Sequence, residues 1–313
     1  MVTKNQHNPA SLSEDGSLSP RNVDVRRLQL RTRRMVSGDM LGAYRTAVKG
    51  SGLVYSDLRE YQPGDDVKHI HWKATARTDK VVVKSYDEER QLRVLVAIDV
   101  SSSLAAPLHS PLLERALEFT SLIATLSQRG NDLLGACLFS DSIETFIPPS
   151  SSPGRHQKVL TLLQRSAENR GLRKPTNLQG VLRALQSSLK QPTLLFLLSD
   201  FLTPPFDAEL SKLAAKHDVI LVHLEQPLGV LPRGGMVSFT DAESGKIVTV
   251  DSSSPTVRIA WKNLIDERRD ALHSIAEQCS VDLIHLKDSA LVPLTQLMVA
   301  RADKRQHRKK RRS

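Results

Sequence analysis

Asp99, Ser101 and Ser103 form a D-x-S-x-S run at the end of an apolar stretch; Thr176 and then Asp200 follow further along the chain. Two carboxylates and three hydroxyls make a hard, oxygen-only donor set. That set suits Mg²⁺, and Mn²⁺ or Ca²⁺ accept ligands of the same kind. Asp99 would bind directly or through water, the hydroxyls would coordinate as neutral oxygens, and Asp200 would sit close by. Such a set leaves an ion under-neutralised, with a position open to a carboxylate from outside. Each residue also has a plain structural reading. D-x-S-x-S is a common way out of a strand, and Asp200 can open the turn before Pro204-Pro205. Thr176-Asn177-Leu178-Gln179 has the form of a helix capping box. Taken together, in this order and each at a strand end or helix start, the five residues favour the metal reading.

The elements that must position them are legible in the pattern. Val94-Leu95-Val96-Ala97-Ile98 runs unbroken into Asp99, and a short apolar run of this kind reads as a strand buried on both faces. Similar runs predict strands over 92–98, 133–139, 143–147, 193–199, 219–224 and 281–286. Helices alternate with them. Ser110-Pro111 supplies an N-cap residue and a proline for the first helical position. Others cover roughly 176–189, 207–216, 257–279 and 290–302, and segments at about 234–250 form an inserted β-hairpin. The fold class is therefore α/β, a doubly wound, mostly parallel sheet flanked by helices. In such sheets ligands bind beyond the carboxyl ends of the strands, where Asp99 and Asp200 fall.

Upstream, residues 1–22 are Ser/Asn/Asp-rich and expected to be disordered. Residues 23–91 read as a short basic helix followed by a β-rich segment, with Gly42, Gly50 and Gly52 breaking any further helix. The α/β domain spans 92–302 and a basic, disordered tail 303–313. The net charge of +10 belongs to the ends: eight basic residues against Asp303 in 301–313, and eight against Asp24 and Asp39 in 21–49, so the rest of the chain is slightly negative. The ends could bind nucleic acid or an anionic membrane by charge alone, and a solubilising role is preferred. Aromatic residues make up only 4% of the chain, which argues against a stacking surface for single strands. No apolar run approaches the ~18 residues of a membrane span, so the expected location is the cytoplasm, with the inner face of the membrane within reach of the basic ends. Cys137 and Cys279 are expected as free thiols. No Walker A pattern and no G-x-S-x-G elbow occurs. His69 and His71, near Asp65 and Asp66, offer too few donors for zinc and read as packing or solvated residues.

A resemblance adds to this. The Asp99, Ser101, Ser103, Thr176, Asp200 series is similar to the metal-ion-dependent adhesion site of von Willebrand factor A domains. The box Leu58-Arg59-Glu60-Tyr61-Gln62-Pro63-Gly64-Asp65-Asp66-Val67, with Ile70-His71-Trp72 and Thr75-Ala76-Arg77, resembles the signature of the DUF58 family. The resemblance covers roughly residues 38–302. It implies a von Willebrand A-like domain, often partnered with MoxR-type AAA+ ATPases, and no established enzymatic activity. Arg59, Glu60, Tyr61, Gly64, Asp65, Asp66, Trp72 and Arg77 then stand as a partner surface or a structural signature, with Trp72 expected to anchor the segment to the sheet. The function expected is a non-enzymatic, metal-dependent protein-interaction module. The alternatives are an adaptor acting through the basic ends and a metal-dependent hydrolase.

Overall fold

The computed structural model describes residues 25–49, 58–62, 70–78, 80–84, 91–102, 110–152, 154–168, 175–225, 231, 234–240 and 246–310. The expectation for 1–22 lies outside them. In chain order the elements begin with α1 (Val25–Met35), α2 (Gly38–Lys49), β1 (Leu58–Glu60), α3 (Trp72–Thr78) and β2 (Val82–Lys84). Next come β3 (Arg93–Asp99), α4 (Ser110–Gly130), β4 (Leu133–Phe139), β5 (Ile143–Ser150), α5 (Arg155–Glu168) and α6 (Leu178–Ser188). The remainder are β6 (Leu194–Ser199), α7 (Asp207–Ala214), β7 (Asp218–Leu224), β8 (Met236–Thr240), β9 (Ile247–Asp251), α8 (Pro255–Gln278), β10 (Asp282–Leu286) and α9 (Leu291–Lys310).

Six strands make the main sheet in the order β10-β7-β6-β3-β4-β5. All neighbours run parallel except β4 and β5. The fold is the doubly wound α/β class expected from the sequence. The unbroken apolar runs follow from the layering, because both faces of the central strands are covered. Val94, Val96 and Ile98 face one core with Leu122, Phe196 and Leu294; Leu95 and Ala97 face the other with Leu182, Leu210 and Leu272. The hairpin β8–β9 is a separate antiparallel pair, as the pattern predicted. Cys137 and Cys279 are free and buried, and burial pushes the Cys137 thiol up to about 12.

One edge of the sheet carries Pro148 and Pro149 within β5. The register against β4 shifts there, between Leu134 and Ala136. A side chain at Gly135 would meet the Ile147 carbonyl oxygen at 2.5 Å, so the close passage of the bulged strand requires glycine at this position.

The N-terminal region differs from expectation. Gly42 does not end a helix: α2 runs through it, and a Cβ at Gly42 would meet nothing within 4 Å. Glycine there costs about 1 kcal/mol of helix propensity, and packing outweighs that. Met40, Tyr44, Ala47 and Val48 bury one face of α2 in the main core. The Tyr44 hydroxyl donates to Asp132 Oδ2 at 3.0 Å, and Asp132 Oδ1 accepts from the Leu92 amide at 3.1 Å. Arg129 donates to the carbonyls of Val36 at 2.6 Å and Arg33 at 3.0 Å, tying α1 to α4. Both helices thus belong to the core of the α/β unit rather than to a separate segment ending at residue 91.

The C-terminal boundary also moves. Helix α9 continues to Lys310, past the expected break at 302. Arg301, counted among the tail's charges, is a structural residue. It forms a two-bond fork to Asp218 at 2.8 and 2.9 Å and pairs with Asp282. The helix is thereby fixed to the amino ends of β7 and β10.

Candidate metal centre at the carboxyl edge of the sheet

Asp99 is the last residue of β3 and is fully buried. Its Oδ1 accepts from the Ser101 amide at 2.9 Å, which turns the chain sharply as it leaves the sheet. The Val100 amide donates to the Phe139 carbonyl at 2.8 Å and holds this exit against β4. Asp99 Oδ2 accepts from Thr176 Oγ1 at 3.1 Å and from Ser199 Oγ at 2.7 Å. Three separate segments therefore meet on one carboxylate.

Thr176 is brought there by its neighbour. The Asn177 amide donates to the Ser140 carbonyl at 3.0 Å, tethering the segment to the end of β4. The N-cap of α6 is Asn177, whose Oδ1 accepts from the Gly180 amide at 3.0 Å. The capping box expected to start at Thr176 is thus shifted by one residue, and the Thr176 hydroxyl turns to Asp99 instead. Asp200, almost fully buried, follows β6; its Oδ1 accepts from the Leu202 amide at 3.2 Å. Phe201 has φ of 53°, a left-handed conformation that non-glycine residues adopt at a cost. It is held there by stacking on Phe206, with centroids 5.7 Å apart.

Burial pushes the Asp99 carboxyl up to about 7, and the charge on Asp200 adds to that; hydrogen bonds from Ser101 and Ser199 pull the other way without restoring an ordinary value. A buried carboxylate beside a second acid calls for a proton or a cation. The oxygens around it, from Asp99, Ser101, Thr176, Ser199 and Asp200, are all hard donors and fit Mg²⁺, Mn²⁺ or Ca²⁺. Ser103 lies outside the described residues. Ser199 is absent from the sequence reading because it closes an apolar run that reads as pure strand; its signal is the Ser199-Asp200 pair at a strand end.

The signature box divides. Gly64, Asp65, Asp66 and His69 lie outside the described residues, as does the side chain of Arg59. Glu60 pairs with Lys80 on the surface, Arg77 is exposed, and Tyr61 is 37% exposed. Trp72, expected to anchor the segment to the sheet, is instead 66% exposed at the start of α3. His71 does cap that helix, its Nδ1 accepting from the Ala74 amide at 3.0 Å. β1 and β2 pair antiparallel beside it. Among the described residues no helix is long and apolar enough to cross a membrane.

An uncharacterized protein of Mycobacterium tuberculosis and one of Mycobacterium bovis are each 26% identical over 290 residues, covering 90% of this chain and 89% of the relative. Among solved structures, an aerotolerance-related membrane protein from Bacteroides fragilis aligns with a TM-score of 0.46 and 17% identity, over 68% of this chain and 99% of that one. A von Willebrand factor type A protein from Catenulispora acidiphila aligns with a TM-score of 0.34 and 8% identity, over 72% of this chain and 44% of that one. The sequence matches the family described as "Protein of unknown function DUF58" over residues 57–271, most of its length, and the chain belongs to that family.

Proposed function

We propose that this chain is a non-enzymatic protein-interaction module whose binding depends on a divalent metal at the carboxyl edge of the sheet. The observation that carries the reading is the fully buried Asp99 carboxylate, met by the hydroxyls of Thr176 and Ser199 and crowded by Asp200. Asp99, Ser101, Ser103, Thr176 and Asp200 would hold Mg²⁺, with Mn²⁺ or Ca²⁺ as substitutes. When bound, the ion supplies a positive centre with a vacant position, suited to a carboxylate from a partner. The protein's own residues set the geometry: Ser101 fixes one oxygen of Asp99, and Thr176 and Ser199 orient the other.

The partner class that fits is a MoxR-type AAA+ ATPase, or its client, offering an acidic side chain. The family resemblance supports that choice, and a cytoplasmic setting goes with it. The test is capture of a co-encoded ATPase by the full chain, with and without chelator. Capture is expected to be lost in chelator and in Asp99→Ala and restored by Mg²⁺ in the wild type alone. Equal capture by Asp99→Ala and wild type, with both folded, overturns the reading.

A further inference from the structure

A second polar cluster lies on the same edge. Strands β7 and β10 run parallel in a register that sets His223 beside His285, and His223 in turn lies beside Ser199 of β6. The Nδ1 atoms of the two histidines are 3.0 Å apart. Glu225 Oε1 is 3.3 Å from His285 Nδ1. The donor atoms of His223, Glu225 and His285 all lie within 4.8 Å of one another. The rings meet edge-on, with planes at 76°, so their nitrogens rather than their faces approach.

The 3.0 Å approach of the two Nδ1 atoms takes a proton or a cation between the rings, and Arg269 pairs with the Glu225 carboxylate. One proton serves one pair of the donor atoms, whereas a metal ion serves all three. In a tetrahedral zinc site with bonds of about 2.0–2.1 Å, neighbouring donors are about 3.3 Å apart, close to the 3.0 and 3.3 Å separating His285 Nδ1 from His223 Nδ1 and Glu225 Oε1. We propose that His223, His285 and Glu225 form a Zn²⁺ site with one position left for water or an outside ligand. It stands apart from the oxygen cluster at Asp99 and does not depend on the Mg²⁺ reading.

The surroundings agree with that assignment. His285 Nε2 lies 2.9 Å from His273 Nε2 on α8. A proton on His285 Nε2 shared with His273 leaves the Nδ1 lone pair facing the cluster, the usual way an outer partner fixes a ligand tautomer. Imidazole binds metal only in its neutral form, so occupancy is expected to fall as the pH drops. Nitrogen donors select Zn²⁺ over Mg²⁺. Arg269 pairs with Glu225, and Arg115 donates to the Glu225 carbonyl oxygen at 2.5 Å. Arg269 holds the carboxylate in place and competes with the cation for it, which moderates the affinity.

The test uses the full chain stripped with chelator, then dialysed against Zn²⁺ alone or Co²⁺ alone, with metal content read by elemental analysis. One Zn²⁺ per chain is expected, retained in excess Mg²⁺. The Co²⁺ form should show the visible absorption of a four-coordinate site. His285→Gln and His223→Gln are each expected to weaken binding about 100-fold or more and His273→Ala about 10-fold, while Asp99→Ala leaves it unchanged. Thermal unfolding without metal checks that each variant folds; if His223→Gln does not, His285→Gln, whose side chain is 22% exposed, decides alone. Absence of stoichiometric Zn²⁺, equal binding by folded histidine variants, or loss of Zn²⁺ in Asp99→Ala overturns the proposal.

Discussion

Asp99 and His223 occupy one edge of one sheet, on strands separated only by β6, and the same burial drives them in opposite directions. Losing water disfavours whichever form carries charge. The Asp99 carboxyl therefore rises to about 7 and the His223 imidazole falls to about 4. The carboxylate is left with a charge it cannot shed at neutral pH without a proton or a cation. The imidazole is left neutral, as a ready nitrogen donor. Burial thus disfavours the charged form at both clusters, and under the two proposals donor chemistry would decide which metal each takes. Ser199 lies between them: it pairs with His223 in the ladder while its hydroxyl serves Asp99.

The sharpest way to break this contrast is Asp99→Asn, which removes the buried charge and keeps the shape. Its metal-free stability is expected to match or exceed the wild type at pH 8, since no charge is left to desolvate. Stabilisation by Mg²⁺, about 2.7 kcal/mol at a hundredfold excess over Kd, should vanish. His223→Gln should keep that Mg²⁺ response in full. Thermal melts with and without Mg²⁺ read both; a Mg²⁺ response surviving in Asp99→Asn would place the ion elsewhere.

Ser199→Ala comes next. It removes a hydrogen bond to a buried carboxylate and leaves the Phe201 amide, which donates to Ser199 Oγ at 3.0 Å, without that acceptor. A loss of about 1–3 kcal/mol is expected, measured by denaturant unfolding in chelator. A loss near zero would mean that the Asp99 carboxylate is not held as described.

The two sites should also answer pH with opposite signs in chelator. Asp99, facing Asp200, is raised from its ordinary 3.8 to about 7. Between those values the folded chain holds a proton the unfolded chain has released. The group's contribution is thus intact below about pH 4 and falls as pH rises through 7. His223, facing His285, Glu225, Arg269 and His273, is lowered from 6.5 to about 4. Its contribution is intact above 6.5 and is lost as pH falls toward 4. Unfolding midpoints across this range should flatten on the alkaline side in Asp99→Asn and on the acid side in His223→Gln. Failure of either variant to change its own limb would remove that group from the account.

The smallest effect separates Thr176 from Asn177. Asn177→Ala removes the α6 cap and should cost about 1 kcal/mol with little change in Mg²⁺ affinity. Thr176→Ala should weaken Mg²⁺ binding with less effect on the helix. The reverse pattern in melting and titration would restore the capping reading for Thr176.

Much of this was legible in the sequence, for identifiable reasons. The run from Val94 to Ile98 announces two-sided burial because an exposed strand face would need polar residues at alternate positions. Asp99 and Asp200 announce the sheet edge because each follows such a run. Thr176 was harder, since threonine before asparagine can cap a helix in either position, and only the backbone shows which one does. Helix α2 was missed because Gly42 reads as a breaker when its buried face, Met40, Tyr44, Ala47 and Val48, has no visible partner. The histidine cluster was missed for a topological reason. His223-Leu224 and His285-Leu286 end their strands alike, but a hairpin and α8 separate them in sequence. Nothing local says that β7 and β10 are neighbours.

The bulged strand β5 has one more consequence. The margin of an open sheet is a template for any extended chain that offers amide hydrogens and carbonyls. Pro148 and Pro149 carry no amide hydrogen, and the irregular register beside Gly135 bends that margin out of line. A stray segment arriving there finds part of the ladder missing. On that flank extended pairing is interrupted at the two prolines, which disfavours self-association through that stretch.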